Sequence, residues 1–311
     1  MQTIKIIDLF AGIGGIRLGF EQAYSNIKCT FTSEIDKYAI QTYLANFPKS
    51  TISGDITQID NSCIPKHDIL LAGFPCQPFS QAGLQKGFDD TRGTLFFEIK
   101  RILQSKQPAA FLLENVARLK THNNGNTFKV ILNSLNEVGY TNVYYKVLKA
   151  KDFGLPQNRA RIYIIGFLDK NISFEFPNLL NVKTKLGDIL EFNVPSKYTI
   201  SDKLWAGHQR RKVINKAQGK GFGYGLFNKN SKYTNTLSAR YYKDGSEILI
   251  EQQNNNPRKL TPREAARLQG FPDDFQIVVS DNEAYKQFGN SVAVNVITKL
   301  AKQMLISLKV Y

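Results

Sequence analysis

The chain is poor in sulfur and imidazole: its 311 residues include three cysteines (Cys29, Cys63, Cys76), two methionines and three histidines (His67, His122, His208). Three cysteines with no CxxC spacing cannot all pair and form no metal-ligand set, which argues against a disulfide scaffold and a zinc module. The histidines are scattered, so no metal is expected, and unpaired thiols suit a reducing compartment. No apolar run approaches the roughly 18 residues of a membrane span. The opening "MQTIKIIDLFAG" runs straight into a strand without the form of a signal peptide. A cytoplasmic protein without membrane contact is expected. Acidic residues are also scarce, 26 Asp/Glu against 41 Lys/Arg, for a formal charge of +15. What is present, 42% hydrophobic and 12% aromatic residues, is enough for a sizeable core and excludes a disordered chain.

Charge and order are unevenly distributed. Up to about residue 170, short apolar runs ("TIKIIDL", "CTFTSEI", "DILLAGF", "AAFLLEN", "VYYKVLKA", "RIYIIGF") alternate with segments of helical periodicity, among them "GIRLGFEQAY", "RGTLFFEIKRILQSK" and "NTFKVILNSLNEVG". This alternation predicts an α/β fold with a mostly parallel sheet covered by helices on both faces. Residues 181–257 differ: they lack helical periodicity and hold 13 Lys/Arg against 6 Asp/Glu, a net +7. A small unit of loops and short strands with a localised positive field is expected there, the footprint of a polyphosphate partner. In "LTPREAARLQGF", Thr261 and Glu264 fit a capping box with Pro262 at the first helical position. The closing helix carries an apolar stripe of Val292, Val296, Ile297, Leu300, Met304, Leu305 and Leu308, which reads as core packing.

Ligands of open α/β sheets bind beyond the carboxyl ends of the strands. After the first strand, "DLFAGIGG" offers Gly12, Gly14 and Gly15 without the full dinucleotide spacing. Glu34 ends the second strand, twenty residues after Gly14, where a carboxylate can accept ribose hydroxyls. Asp55 in "SGDIT" suits an adenine amino group. Together these describe a nucleoside site without a phosphate cradle, favouring S-adenosylmethionine over NAD or ATP. The next strands lead to Cys76 in "GFPCQPFS" and Glu114 in "LLENV". An isolated cysteine is more often an inert core residue. Pro75 and Pro78 stiffen this one's turn, and the residues alone leave both readings open. Arg159 and Arg161 in "QNRARIYIIG" share one face of a strand and suit oxygen recognition.

In order along the chain stand "DLFAGIGG", "SEIDKYA", "GDIT", "GFPCQPFS", "RGTLFFE", "ENV", "QNRAR", "RKLTPREAARLQGFP" and "YKQFGNSVAVNV". With these nine blocks the chain resembles the bacterial DNA cytosine-5 methyltransferases over nearly its whole length. The resemblance implies a Rossmann-like S-adenosylmethionine-dependent methyltransferase sheet with a smaller, irregular target-recognition domain. Its boundaries would be 1–180 plus 284–311 for the catalytic domain, 181–257 for target recognition and 258–283 for a connecting segment. It further implies Cys76 as nucleophile, Glu114 as its acid partner, Arg161 at the cytosine O2, and Arg159 with Gln157 shaping that catalytic strand. The matching cofactor positions are Phe10, Gly12, Gly14, Glu34, Asp55, Leu95, Asn290 and Ser291. On the DNA side stand Gln77, Ser80 and Thr236 of the Thr236-Leu237 dyad; within the basic insert itself, Arg240, Tyr241 and Tyr242 are expected as base readers and Arg210, Arg211 and Lys212 on phosphate. One departure is Ile35, which follows Glu34 where several relatives carry an aromatic residue. The implied activity is methylation of a flipped cytosine in duplex DNA, as the modification half of a restriction system whose nuclease acts separately on the monomeric enzyme's target. A tRNA cytosine-5 methyltransferase of the same fold and a non-catalytic DNA-binding relative are the alternatives.

Overall fold

The computed structural model describes residues 2–75, 95–180 and 182–310. The chain divides into two compact units: Met1–Leu148, Ala160–Asn178 and Val296–Tyr311 form the first, and Lys149–Arg159 with Leu179–Asn295 the second.

The first unit is built on a six-stranded sheet of β1 (Ile4–Leu9), β2 (Ile27–Ser33), β3 (Ile69–Gly73), β4 (Ala110–Val116), β5 (Asn142–Lys149) and β6 (Ala160–Phe167), in the order β2-β1-β3-β4-β6-β5. The first four strands of that order run parallel and β6 is antiparallel to β4. The mostly parallel sheet expected from the apolar runs is therefore present. The central strands β1, β3, β4 and β6 read as largely hydrophobic stretches because both their faces are buried. Ile7, Leu9, Leu70, Ala72, Phe111, Leu113, Ile162 and Ile164 pack on one face against Phe96, Ile99, Ile102 and Leu103 of one helix and Phe128, Ile131 and Leu135 of another. The alternate residues Ile6, Leu71, Leu112 and Ile165 are equally inaccessible. The helices of this unit are α1 (Gly15–Ala23), α2 (Lys37–Asn46), α3 (Leu95–Lys106) and α4 (Asn126–Glu137). α1 meets the final helix so closely that a Cβ on Gly19 would lie 2.5 Å from Ile297.

The second unit holds α5 (Asp202–Ala217), α6 (Tyr241–Asp244), α7 (Pro262–Leu268) and α8 (Asp281–Asn290), and a three-stranded sheet of β7 (Leu226–Phe227), β8 (Leu249–Gln252) and β9 (Asn255–Arg258). α9 (Val294–Ser307) closes the chain. The expectation of loops and short strands for 181–257 holds for β7 to β9 and fails for α5. That sixteen-residue helix buries only His208, so it has no apolar stripe for periodicity to find. The capping box on α7 forms as read: Thr261 Oγ1 accepts from Glu264 N at 3.1 Å, and Glu264 Oε2 accepts from Thr261 N at 2.8 Å. Glu264 is fully buried and takes a two-pronged pair from Arg258 at 2.7 and 2.8 Å, which completes its satisfaction. Replacing Thr261 by alanine is expected to lower unfolding free energy by about 1 kcal/mol. The check is a lower denaturant midpoint at unchanged m-value. Among the described residues, no helix is long and apolar enough to cross a membrane.

Candidate active site

Parallel strands present their carboxyl ends on one edge, and the register shows what meets there. Leu9 pairs with Ser33 and Ala72, and Gly73 with Glu114. The turn after β1, Glu34 after β2 and Glu114 near the end of β4 thus share the edge of the first unit. Because β6 runs the other way, its first residues also lie there, with Val116 opposite Arg161. Directly opposed residues share a face, and so do residues two apart. Glu114 and Arg161 are therefore diagonal neighbours. Arg161 Nε lies 3.1 Å from Glu114 Oε1, with the two side chains 16% and 10% exposed. Asn115 Nδ2 donates to Phe74 O at 2.9 Å, tying the end of β4 to the chain leaving β3. A carboxyl group and a guanidinium are thereby held almost dry but accessible, a pair in which the protonated acid can donate to a ring nitrogen while the guanidinium donates to a carbonyl oxygen of the same planar ring.

The turn after β1 is built from left-handed backbone. Phe10 and Gly12 have φ of 54° and Gly14 has φ of 82°. Phe10 tolerates a conformation unusual for a side-chain-bearing residue, and glycine at 14 is required twice, because a Cβ there would also sit 2.4 Å from Phe47. Ala11 N donates to Ser33 O, Gly14 N to Ala11 O and Gly12 N to Glu34 Oε2, at 3.1, 2.8 and 2.7 Å. With these amides committed internally, the turn is not a phosphate cradle. Glu34 Oε1 also accepts from Ile35 N and Asp36 N, both at 2.8 Å. A carboxylate has about four acceptor positions, so Glu34 can fix the turn and still take a hydroxyl. Asp55 is exposed and caps a short turn through Thr57 N at 2.9 Å. Leu95 is the first residue of α3, and Ile35 is 72% exposed beside Glu34. Carboxylates, an apolar ring and an open left-handed turn suit a nucleoside with ribose hydroxyls and an amino-bearing base.

Behind this edge is a polar cluster that sequence reasoning missed. Asp8, within β1, is 1% exposed, and its Oδ1 has no hydrogen-bond partner among the described residues. Tyr43 hydroxyl approaches Oδ2 at 3.4 Å and itself accepts from Arg17 Nη1 at 3.1 Å. Burial pushes the Asp8 carboxyl up to about 8, only partly offset by Arg17 and Tyr43. A carboxyl whose folded pKa is raised binds a proton in the folded state that the unfolded chain has released. Its contribution to stability is therefore fully present below the unfolded pKa of 3.8 and is lost as pH rises towards 8. Asp8→Asn, a mimic of the neutral acid, is expected to match the wild type near pH 4 and exceed it progressively up to pH 8. Urea unfolding of both proteins across that range checks this; parallel curves would contradict it.

In the second unit, the recognition residues separate. Thr236 is partly exposed, with its hydroxyl donating to Asn158 O at 3.0 Å, and Arg240 is exposed. Tyr241 does not have the freedom expected of a base reader. It is 0% exposed, its hydroxyl donates to Ile248 O at 2.6 Å and accepts from Leu260 N at 2.8 Å, and its ring packs on Tyr285. It is a core tyrosine. Arg159 likewise departs from the catalytic grouping: it is 2% exposed and donates to the carbonyls of Leu237, Gly289 and Ser291. Asn290 ends α8, and Ser291 N caps that helix by donating to Gln287 O at 2.9 Å. On α5, Arg210 and Lys212 are exposed, whereas Arg211 pairs with Asp244 at 3.2 Å.

The family model for C-5 cytosine-specific DNA methylase matches residues 4–305. The chain belongs to that family. This methylase is 67% identical to the Type II methyltransferase M.NlaX of Neisseria lactamica, over 98% of this chain and 97% of that protein. It is 66% identical to the Type II methyltransferase M1.ScrFI of Lactococcus lactis subsp. cremoris, over 97% of this chain and 78% of the other. Its fold is that of the S. pombe Dnmt2 methyltransferase, with a TM-score of 0.81 at 20% identity over 98% of this chain and 99% of that one.

The methylase is a DNA cytosine-5 methyltransferase with the α/β sheet expected from its sequence. Its family implies S-adenosylmethionine as methyl donor, and the donor set around Glu34, with amides already committed and no phosphate cradle, fits a nucleoside group. Cys76, Gln77 and Ser80, named from the motifs, lie outside the described residues. Of the first-unit site residues, the edge brings Phe10, Gly12, Gly14 and Glu34 around one turn and Glu114 to Arg161.

Proposed function

We propose that this methylase is the sequence-specific modification enzyme of a Type II restriction–modification system, methylating carbon 5 of a cytosine flipped out of double-stranded DNA. The observation that carries this reading is the Glu114–Arg161 pair at 3.1 Å on the carboxyl edge of the sheet, in a chain whose relatives are Type II methyltransferases. Carbon 5 is a weak nucleophile until the ring is activated. The Cys76 thiolate forms a bond to carbon 6, and the π electrons of the 5,6 bond move onto carbon 5 as an enamine. Glu114 hydrogen-bonds or protonates N3 as electron density arrives, and Arg161 stabilises O2. Phe10, Gly12, Gly14, Glu34, Asp55, Leu95, Asn290 and Ser291 are the residues that would hold S-adenosylmethionine, which would supply an electrophilic methyl group to carbon 5 with S-adenosylhomocysteine as the product. Loss of the carbon-5 proton to water then drives out the thiolate and restores the aromatic ring.

A stacked base exposes neither face to sulfur, so the target leaves the duplex. Residues 1–180 with 284–311 act as the catalytic domain, 181–257 as the target-recognition domain and 258–283 as the connection. Gln77, Ser80, Thr236 and Arg240 are the residues assigned to DNA binding, and exposed Arg210 and Lys212 take phosphate. The enzyme works as a cytoplasmic monomer, with its cognate endonuclease acting separately. Duplex affinity is therefore expected to fall steeply with salt, and a log–log slope near zero would remove the phosphate contacts. The deciding experiment is treatment of a plasmid with purified protein and S-adenosylmethionine, followed by bisulfite sequencing. Protected cytosines in one short recurring context are expected; no protection, or transfer to tRNA instead, would overturn the reading.

A further inference from the structure

Among the described residues Arg159 is the largest of the fully buried side chains, yet the chemistry above gives it no substrate atom. Its Nη1 donates to Leu237 O at 3.0 Å, and its Nη2 to Gly289 O at 3.1 Å and to Ser291 O. One planar fork thus holds the carbonyl of the Thr236-Leu237 dyad and the two that bracket Asn290. A second, independent feature joins the same places. Gly289 lies so close to the chain after the dyad that a Cβ would stand 2.3 Å from the Ser238 carbonyl carbon.

The residues next to Arg159 extend the connection on both sides. Thr234 N donates to Pro156 O, Asn158 N to Thr234 O and Leu237 N to Gln157 Oε1, each at 2.9 Å. On the other side, Gln157 Nε2 donates to Gln269 Oε1 at 3.1 Å, and Gln269 Nε2 to Phe288 O at 2.6 Å. The dyad and the end of α8 are therefore linked twice, through Arg159 and through Gln157 with Gln269. Such a hydrogen-bonded chain in a dry interior resists independent movement of its ends.

We propose that Arg159 is a positioning residue that couples the DNA-reading dyad to the cofactor-binding turn at Asn290–Ser291. The inference rests on the assignment of those two segments to DNA and cofactor. Ordering either segment lowers the cost of ordering the other, so each ligand strengthens binding of the other by the same factor. Arginine is needed because its fixed fork reaches carbonyls on two segments at once, whereas a lysine ammonium presents a single point of donors.

Amide hydrogen exchange on the wild-type protein tests the coupling directly. S-adenosylhomocysteine alone is expected to slow exchange in 287–294 and also in 234–239, and a duplex carrying the sequence found by bisulfite mapping to do the reverse. Protection confined to each ligand's own segment overturns the coupling while leaving the site assignments intact. Failure of S-adenosylhomocysteine to protect 287–294 at all instead refutes the cofactor assignment, and the coupling with it. In Arg159→Lys, the factor by which duplex tightens S-adenosylhomocysteine binding is expected to fall from about five-fold or more to near unity. A folded Arg159→Lys protein that retains the wild-type factor overturns the role of Arg159, and if that variant does not fold, wild-type exchange still decides the coupling.

Discussion

Replacing Glu114 by glutamine is expected to lower the maximal rate of methyl transfer by on the order of 10²–10³-fold, about 3–4 kcal/mol of transition-state stabilisation. Duplex affinity should change little. Glutamine keeps the shape of the side chain and offers Arg161 an amide oxygen in place of the carboxylate now 3.1 Å from Nε. It cannot pass a proton to N3, and its amide answers the gathering charge far more weakly. Because N3 gains electron density only as sulfur adds to the ring, the loss falls on the transition state and appears in kcat rather than KM. Single-turnover methylation at saturating duplex, with equilibrium binding beside it, measures both. A rate within a few-fold of wild type would remove Glu114 from the chemistry and leave it as the structural partner of Arg161.

The largest effect is expected for Cys76→Ala, with methyl transfer falling by about 10⁴-fold or more while sequence-specific duplex binding persists. Without sulfur the pyrimidine ring must supply its own nucleophilic carbon, a step that the site's electrostatics ease but cannot replace. The contrast with Glu114→Gln is informative: one change removes the bond that activates the ring, and the other only weakens the response to it. The glutamine variant should therefore still form the covalent intermediate, slowly, whereas the alanine variant should form none.

Most of the sheet, and the edge on which the candidate site lies, was legible because its elements carry strong local signals. "IKIIDL", "ILLAG", "AFLLENV" and "ARIYIIGF" are strands buried for most of their length, so predominantly apolar runs mark them; the ends of the three parallel runs, and the start of the antiparallel "ARIYIIGF", mark the functional edge. The capping box of α7 was visible from Thr261, Pro262 and Glu264 alone. Where tertiary contacts decide, the sequence was silent. Tyr241 looks like a surface aromatic beside Arg240 in a basic stretch, and nothing local reveals that Ile248, Leu260 and Tyr285 enclose it. Alternation puts Arg159 and Arg161 on one face, but Arg159 precedes β6 and turns to carbonyls of Leu237, Gly289 and Ser291. Helix α5 escaped notice because only His208 is buried along it. For Asp8 there was a signal to follow: an acid inside an otherwise apolar strand requires burial of a carboxyl, and burial raises its pKa.

The central claim is a transient sulfur–carbon bond to the target base, and a duplex with 5-fluorocytosine at the methylated position tests it most directly. Fluorine cannot leave carbon 5 as a proton does, so elimination stalls after methyl transfer. With S-adenosylmethionine present, a complex that survives denaturation and maps by peptide mass to Cys76 is expected, and the Cys76→Ala protein should yield none. Methylation of ordinary duplex by an enzyme that forms no such complex, or a bond mapped to another residue, would contradict the mechanism.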